Sequence, residues 1–332
     1  MLLDLSYLSY PLPPDIQRLY EAGDFARMDR VIRLRLDDPR VPEALKARLR
    51  VQTDMAYEIL RAYPYTQAQM LEILQSHVKD FEEEELETLR DDGTLDWRYV
   101  NGEVRFKDNA LSGLLKTRAE YAARATDPDV QNGAKESTRQ LHEIIAKMKA
   151  NGGVHARFEL HEQLTIRSDR LTPGETLRIH LPMPIVGAQV KSAALLGASH
   201  PVAFLAPEDE PQRTIYFELP YQPGMTVSAD VAYEIDAPYQ QPHARDVYAE
   251  QPVFDTEEQP PHVVFTPYLR ALAKEIVGDE TNALLKARKI YDFITTQAVY
   301  RFMPPYLTVT NIPEYFLSGL RGDCGVQAIT FV

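Results

Sequence analysis

The last part of the sequence contains the only cysteine, Cys324, within the run Ser318-Gly-Leu-Arg-Gly-Asp-Cys-Gly-Val-Gln-Ala-Ile-Thr-Phe-Val332. Gly322 and Gly325 flank it, so the backbone there can turn tightly or let another group approach closely. The apolar residues after Gly325 predict a buried helix that begins near the cysteine. Unpaired N–H groups and the helix dipole at such a start favour the thiolate, the reactive form of cysteine. The pattern therefore indicates a nucleophilic thiol.

Other roles for Cys324 have to be compared with this one. A single cysteine is often a small buried apolar residue, and that alternative stays open. An inert core cysteine, however, needs neither glycines on both sides nor an acid directly before it. A nucleophile elbow of the G-x-C-x-G type is excluded, because Val326 occupies the position of the second glycine. With no second cysteine, an intrachain disulfide, a CxxC redox pair and a cysteine-based zinc site are excluded too.

The segment Arg321-Gly-Asp-Cys-Gly-Val-Gln-Ala-Ile-Thr-Phe-Val332 resembles the cysteine segment of the transglutaminase-like superfamily. This is a set of papain-like folds, many of them bacterial. The stretch Lys286-Ala-Arg-Lys-Ile-Tyr-Asp-Phe-Ile-Thr-Thr-Gln-Ala-Val-Tyr300 resembles the helix that precedes the cysteine in that family, which ends in a tyrosine. The resemblance covers residues 262–332, about a fifth of the chain. It implies that Cys324 is the catalytic nucleophile.

The same resemblance shows which groups are missing from this sequence. In the family the catalytic cysteine is followed along the chain by a histidine and then an aspartate. Only eight residues follow Cys324 here, and none of them is His or Asp. We therefore expect these 332 residues to be the front part of a longer protein or a truncated product, nearly inactive alone.

Two tyrosines are candidate substrate-binding residues. The loop Arg301-Phe-Met-Pro-Pro-Tyr306 is expected to lie near the cysteine. Tyr300 and Tyr306 would then line the substrate groove, although simple packing explains each of them equally well.

Composition and charge limit the partners. The chain has 36 basic and 49 acidic side chains, for a formal net charge of −13. This balance argues against nucleic acid as the main partner and against an anionic membrane surface. No apolar run reaches the roughly 18 residues of a membrane helix. Residues 1–10 contain an acid and no Lys or Arg, unlike a secretory signal, and one cysteine suits a reducing compartment. We predict a cytoplasmic protein.

The elements that must position the cysteine change character along the chain. With 332 residues, two or three domains are expected, and the predicted fold class is multidomain α+β. Residues 1–150 show helical periodicity, interrupted by a β-hairpin at 97–106 that turns at Asn101-Gly102. Residues 151–240 alternate with period two and predict an antiparallel β-sandwich of about six to eight strands. Residues 241–261 form a Pro/Gln-rich linker, and the resemblance implies that 262–332 begin an incomplete transglutaminase-like core.

Local signals within these regions predict helix ends. Asp24, Thr66 (with Gln69) and Asn282 are expected to cap helices at their N-termini. The acidic run Glu82-Glu-Glu-Glu85 is expected to be a solvated helix face, since it lacks the ligand spacing of an EF-hand. The stretch 126–133, with its Asp-Pro and Asn-Gly pairs, is expected to be a loop.

Three histidines are candidate metal ligands: His155, His161 and His180. They fall on different predicted strands, and His161-Glu-Gln-Leu-Thr165 is not an HExxH motif because Thr165 replaces the second histidine. Solvent-facing strand histidines are the expected alternative, so we predict neither a metal nor a cofactor.

Two functions are consistent with these observations. The first is a thiol hydrolase or acyltransferase, in which Cys324 attacks a peptide or amide bond of a protein or peptide substrate and forms a thioester. A protease or amidase is favoured over cross-linking, because no calcium site is visible. The second is a non-catalytic scaffold that binds a protein or glycan through the helical and β regions. A metal or redox role has little support, and the oligomeric state is open.

Overall fold

The computed structural model describes residues 5–167, 170–248, 250 and 257–332. The protein is a mixed α+β chain with two compact units. The first unit joins Met1–Lys135 to His243–Val332, and the second is Glu136–Pro242. Within the predicted linker, positions 249 and 251–256 lie outside the described residues. None of the helices in the described ranges is long and apolar enough to cross a membrane.

The first unit is mostly helical. Its N-terminal helices are α1 (Pro14–Glu21), α2 (Phe25–Asp37), α3 (Glu43–Ala62), α4 (Gln67–His77), α5 (Glu83–Asp91), α6 (Ala110–Thr117) and α7 (Ala119–Ala123), after a short 3₁₀ helix at Leu5–Ser9. Its C-terminal helices are α9 (Pro267–Val277), α10 (Ala283–Gln297), α11 (Ile312–Gly319) and α12 (Cys324–Phe331), with 3₁₀ turns at Ala244–Asp246 and Tyr306–Thr308. Helix α8 (Pro128–Asn151) carries the chain into the second unit.

The predicted helix caps are confirmed. Asp24 accepts a hydrogen bond from the Arg27 N–H at 3.1 Å. Thr66 and Gln69 form a reciprocal capping box at the start of α4. Each cap satisfies N–H groups that have no partner inside the helix. Asn282 does the same for α10 by accepting from two backbone N–H groups.

The predicted hairpin is also confirmed. Strands β2 (Trp97–Val100) and β3 (Glu103–Phe106) are antiparallel, with β1 (Tyr65–Thr66) on the other side of β3. Asn101 and Gly102 both have positive φ, as a type I′ turn requires. The hairpin lies between two helical cores: Phe106 is buried in one and Val100 in the other.

The predicted loop at 126–133 is wrong from Pro128 onward. Helix α8 begins at Pro128, and Gly133 lies inside it. Proline suits the first position of a helix, where its missing N–H has no intrahelical acceptor. Asp127 accepts a hydrogen bond from the Asp129 N–H at 2.9 Å and so stabilises this start. The Asn-Gly pair that favoured a turn is therefore helical.

The second unit contains two antiparallel three-stranded sheets. One has the order β4 (Gly153–Thr165), β9 (Thr226–Pro238), β6 (Val190–Ala198), and the other β5 (Thr176–Pro182), β8 (Thr214–Pro220), β7 (Phe204–Leu205). Ile215 and Phe217 of one sheet and Val227 and Val231 of the other are buried in a shared apolar cluster. The finer description of this unit as a β-sandwich stays a prediction.

The cysteine-bearing end of the first unit has its own apolar cluster, which includes Ile294, Phe316 and Val326 from three different helices. Beside it, the short strands β10 (Val299–Tyr300) and β11 (Arg321–Gly322) pair in parallel. Since β11 ends two residues before Cys324, this pairing fixes the chain that leads to the thiol.

Asn311 forms a second set of hydrogen bonds in the cysteine-bearing end of the first unit. It has φ +48° and is 6% exposed. Its side-chain amide donates to the Val264 carbonyl at 3.0 Å and to Glu314 at 2.9 Å. Its backbone N–H donates to the Pro261 carbonyl at 2.9 Å. These bonds attach the segment before α9 to the start of α11.

Candidate active site

Cys324 is the first residue of α12, and its side chain is exposed. Asp323 caps this helix by accepting a hydrogen bond from the Val326 N–H at 3.1 Å. The Gln327 N–H closes the first turn on the Asp323 carbonyl at 3.1 Å. The N–H groups of Cys324 and Gly325 precede that bond and have no acceptor inside the helix. The thiol thus lies beside two backbone donors at the positive end of the helix dipole.

Gly322 and Gly325 are needed because other side chains approach their backbone closely. A left-handed turn is not the reason, since neither glycine has a positive φ. A Cβ at Gly322 would lie 2.9 Å from Cδ2 of Phe316 and 3.3 Å from Cβ of Val326. A Cβ at Gly325 would overlap the hydroxyl of Tyr306. Of the two options that the sequence left open, the structure selects the second.

Tyr306 lies directly at the start of α12. Its hydroxyl donates a hydrogen bond to Oδ1 of Asp323. Burial raises the pKa of Tyr306, and the hydrogen bond to the Asp323 carboxylate raises it further. The phenol is therefore a protonated donor throughout the neutral pH range.

Tyr300 lies on β10, outside the helix that the family resemblance implied, because α10 ends at Gln297. The ammonium of Lys116 lies 3.6 Å from the centroid of its ring, and the Phe302 ring contacts it edge-on at 5.4 Å. A cation at this distance is attracted by the ring quadrupole. The role of Tyr300 and Tyr306 in substrate binding stays a prediction.

The sequence reasoning missed the arginines that hold the cysteine segment. Arg321 donates to the carbonyl of Asp92 at 2.9 Å, and Arg301 donates to the carbonyl of Gly93 at 3.4 Å. Both carbonyls follow α5, where the helix dipole is negative and backbone acceptors lack intrahelical partners. The N-terminal helices therefore contribute directly to the position of β11.

Arg301 also belongs to a buried polar cluster with Tyr315, Tyr63 and Asp96. The Tyr63 hydroxyl donates to Asp96 at 2.9 Å, and Arg301 donates to the Tyr315 hydroxyl at 2.9 Å. Burial raises the pKa of Asp96, although the nearby Arg301 opposes this. No motif in the sequence marks this cluster, because its members come from separate parts of the chain.

The acidic run at 82–85 lies at the N-terminus of α5, and the predicted solvated face is confirmed for three of its four residues. Glu82, Glu83 and Glu84 are exposed. Glu85 instead pairs with Arg124 at 2.6 Å and also accepts from the Glu82 N–H at 2.9 Å. Acids at this end and arginines at the other both complement the dipole of α5.

The three histidines considered as ligands are not together. The prediction of different strands is wrong for His155 and His161, which share the long strand β4. It is confirmed for His180, which lies on β5 of the other sheet. His161 pairs with Asp230 at 2.7 Å, and His180 contacts the Thr214 hydroxyl at 3.0 Å. Over the ranges that the structure describes, no group of three or more His, Cys, Asp and Glu side chains is arranged to hold a metal ion.

Comparison with known proteins gives one structural likeness. No family model and no curated protein matches the sequence. Among solved structures, the chain is similar to "a Putative Cysteine Protease from Cytophaga hutchinsonii", with 16% sequence identity and a TM-score of 0.37. The match covers 54% of this chain and 65% of that one.

Proposed function

We propose that this protein is a cysteine hydrolase or acyltransferase that acts on peptide or amide bonds of protein or peptide substrates through a thioester at Cys324. The observation that carries this proposal is the exposed thiol at the first residue of α12, next to two backbone N–H groups without intrahelical acceptors. An inert structural cysteine would have no need of this exposure. The transglutaminase-like resemblance of residues 321–332 supports the same chemistry.

In the proposed reaction the Cys324 thiolate attacks the substrate carbonyl carbon and forms a tetrahedral oxyanion. The N–H groups of Cys324 and Gly325 donate hydrogen bonds to that oxygen. The C–N bond then breaks, the amine leaves with a proton, and the acyl group stays on the sulfur. Water or a second amine attacks the thioester, which releases the acid or new amide and restores the thiol.

The proton for the leaving amine needs a donor, and residues 325–332 include neither His nor Asp. We propose that the base and its orienting acid come from elsewhere than this stretch. An activated ester such as p-nitrophenyl acetate has a leaving group that needs no proton, so a chain without these groups should still form the thioester with it. The same chain should complete the catalytic cycle more slowly than it forms the thioester. The proposed location is the reducing cytoplasm, where a single exposed thiol stays free.

The experiment is single-turnover acylation by p-nitrophenyl acetate. We expect Cys324 of the folded chain to become acetylated, as mapped by mass spectrometry and reversed by hydroxylamine, faster than in the urea-unfolded chain. Cys324→Ala should show no such adduct. Equal rates in the folded and unfolded chains would contradict the proposal.

The alternative, a non-catalytic scaffold that binds a protein or glycan, is favoured by one surface of the second unit. His180, Tyr216 and Phe204 lie side by side across three strands, and Phe204 is 58% exposed. Exposed aromatic side chains of this kind are common in binding surfaces. A scaffold would retain partner binding, and have no acylation, in both the wild type and Cys324→Ala.

A further inference from the structure

The side chain of Asp323 has two donors on one oxygen. Its Oδ1 accepts from the Val326 N–H at 3.1 Å and from the Tyr306 hydroxyl. The first bond caps α12, and the second comes from a separate 3₁₀ turn at Tyr306–Thr308. The residue before the thiol is therefore fixed by groups on two different elements.

The charge of this carboxylate matters for the thiol. Asp323 is the chain neighbour of Cys324, and a nearby negative charge disfavours a thiolate. Hydrogen bonds to a carboxylate are charge-assisted and strong, so they fix its orientation. The two donors direct Oδ1 toward the helix start and so fix where this negative charge lies relative to the thiol.

The position of Tyr306 is enforced by packing. Its ring contacts the apolar cluster of α10, α11 and α12 on one side. On the other side it fills the space that a side chain at position 325 would need, so that its hydroxyl reaches Asp323. Gly325 and Tyr306 are thus complementary, because the absence of a side chain at Gly325 leaves room for the phenol.

We propose that Tyr306 is a positioning residue, whose phenol holds the Asp323 carboxylate on the first turn of α12 and so keeps the Cys324 thiol reactive. This inference rests on the proposed function, since it concerns the same thiol. It gives Tyr306 a role in addition to the predicted contact with substrate.

The test is a double-mutant cycle on the rate of Cys324 alkylation by iodoacetamide at neutral pH. Tyr306→Phe should slow alkylation about three- to tenfold, because the carboxylate released from the phenol can then turn toward the thiol, and a like charge beside it disfavours the reactive anion. The same change in the Asp323→Asn background should alter the rate by less than about twofold, because no charge remains there to be held. Asp323→Asn alone should react as fast as the wild type or faster.

The matched control is Tyr268→Phe. The Tyr268 hydroxyl donates to the Leu317 carbonyl at 3.2 Å, so this change removes a phenol hydrogen bond from the same unit without touching Asp323. It should leave the alkylation rate unchanged. Equal effects of Tyr306→Phe in both backgrounds, or slower alkylation of Asp323→Asn, would overturn the positioning role.

The two proposals fail in different ways. If the wild type is acetylated at Cys324 but the cycle shows no coupling, the proposed function stands and the role of Tyr306 is wrong. If the cycle is coupled but no acetyl thioester forms, the phenol positions the thiol and the acyl-transfer function is wrong.

Discussion

Arg321 donates a hydrogen bond to the backbone carbonyl of Asp92 at 2.9 Å, although the two residues are 229 positions apart. Arg321 belongs to the strand that leads to Cys324, and Asp92 follows the last residue of α5. A cation at the C-terminal end of a helix is favoured by the dipole and by the free carbonyl groups. The segment that contains Cys324 is therefore attached directly to the N-terminal helices.

The first prediction concerns this bond. Arg321→Ala should lower the free energy of unfolding by about 0.5–1.5 kcal/mol, because the hydrogen bond from the guanidinium to the Asp92 carbonyl is lost. Urea unfolding followed by the fluorescence of Trp97 measures it, since this is the only tryptophan and its Nε1 donates to the Arg90 carbonyl at 3.1 Å. Arg288→Ala is the control, because its ion pair with Asp292 is on the surface. Equal midpoints for Arg321→Ala and Arg288→Ala would contradict the prediction.

The second prediction concerns Gly325. Gly325→Ala should cost about 1–3 kcal/mol and slow alkylation of Cys324, because the added methyl group overlaps the Tyr306 hydroxyl. Combining it with Tyr306→Phe should recover part of the lost stability. Gly319→Ala is the control, since a Cβ there meets no atom within 4 Å. Thermal unfolding and alkylation rates would be compared, and a Gly325→Ala chain as stable as Gly319→Ala would refute the steric argument.

The third prediction is a pH dependence. The folded state raises the pKa of Asp96 through burial, so it binds a proton more readily than the unfolded chain does. Stability from this group is present at low pH, and is lost as the pH rises above the unfolded value of about 4 and through the folded pKa. The stability of the wild type relative to Asp96→Asn should therefore fall between acidic and neutral pH, as measured by urea midpoints.

Glu85 provides a comparison of opposite sign. The hydrogen bond from Arg124 lowers the pKa of Glu85. The stability that this pair contributes is present above the unfolded pKa and is lost as the pH falls through the folded pKa. Glu85→Gln should destabilise the protein at neutral pH and lose its effect in acid. Parallel pH profiles for the Asp96 and Glu85 variants would show that the assigned cause is wrong.

The fourth prediction separates strain from hydrogen bonding at Asn311. Asn311→Ala should destabilise the protein by about 2–4 kcal/mol, because buried bonds are lost and alanine is strained at φ +48°. Asn311→Gly loses the same side-chain bonds without that strain, so it should be about 1 kcal/mol more stable than the alanine variant. Urea unfolding of the two variants measures the difference. If Asn311→Gly were no more stable than Asn311→Ala, strain of the left-handed backbone would make no contribution to the loss of stability.

Much of the local structure could be predicted from neighbouring residues. The Thr66–Gln69 capping box, the Asn282 cap and the Asn101-Gly102 hairpin each depend on positions that are only a few residues apart. Their conformations follow from steric and hydrogen-bonding preferences within a single turn. The loop predicted at 126–133 was wrong from Pro128 onward, because a proline is as compatible with the first turn of a helix as with a loop.

For the site, the sequence by itself determined that a helix begins near Cys324, because Gly-Asp-Cys-Gly followed by apolar residues already predicts a helix start. Only the tertiary structure decided which groups surround that start. Tyr306 and Asp92 contact the cysteine segment from other elements, and Gly93 accepts a hydrogen bond from Arg301, which follows the neighbouring strand β10. Their contacts are set by how the helices pack, and side-chain packing depends on residues that are distant in the chain. Gly325 shows both contributions: the sequence allowed either a tight turn or a close approach, and only the fold showed that Tyr306 makes a close approach.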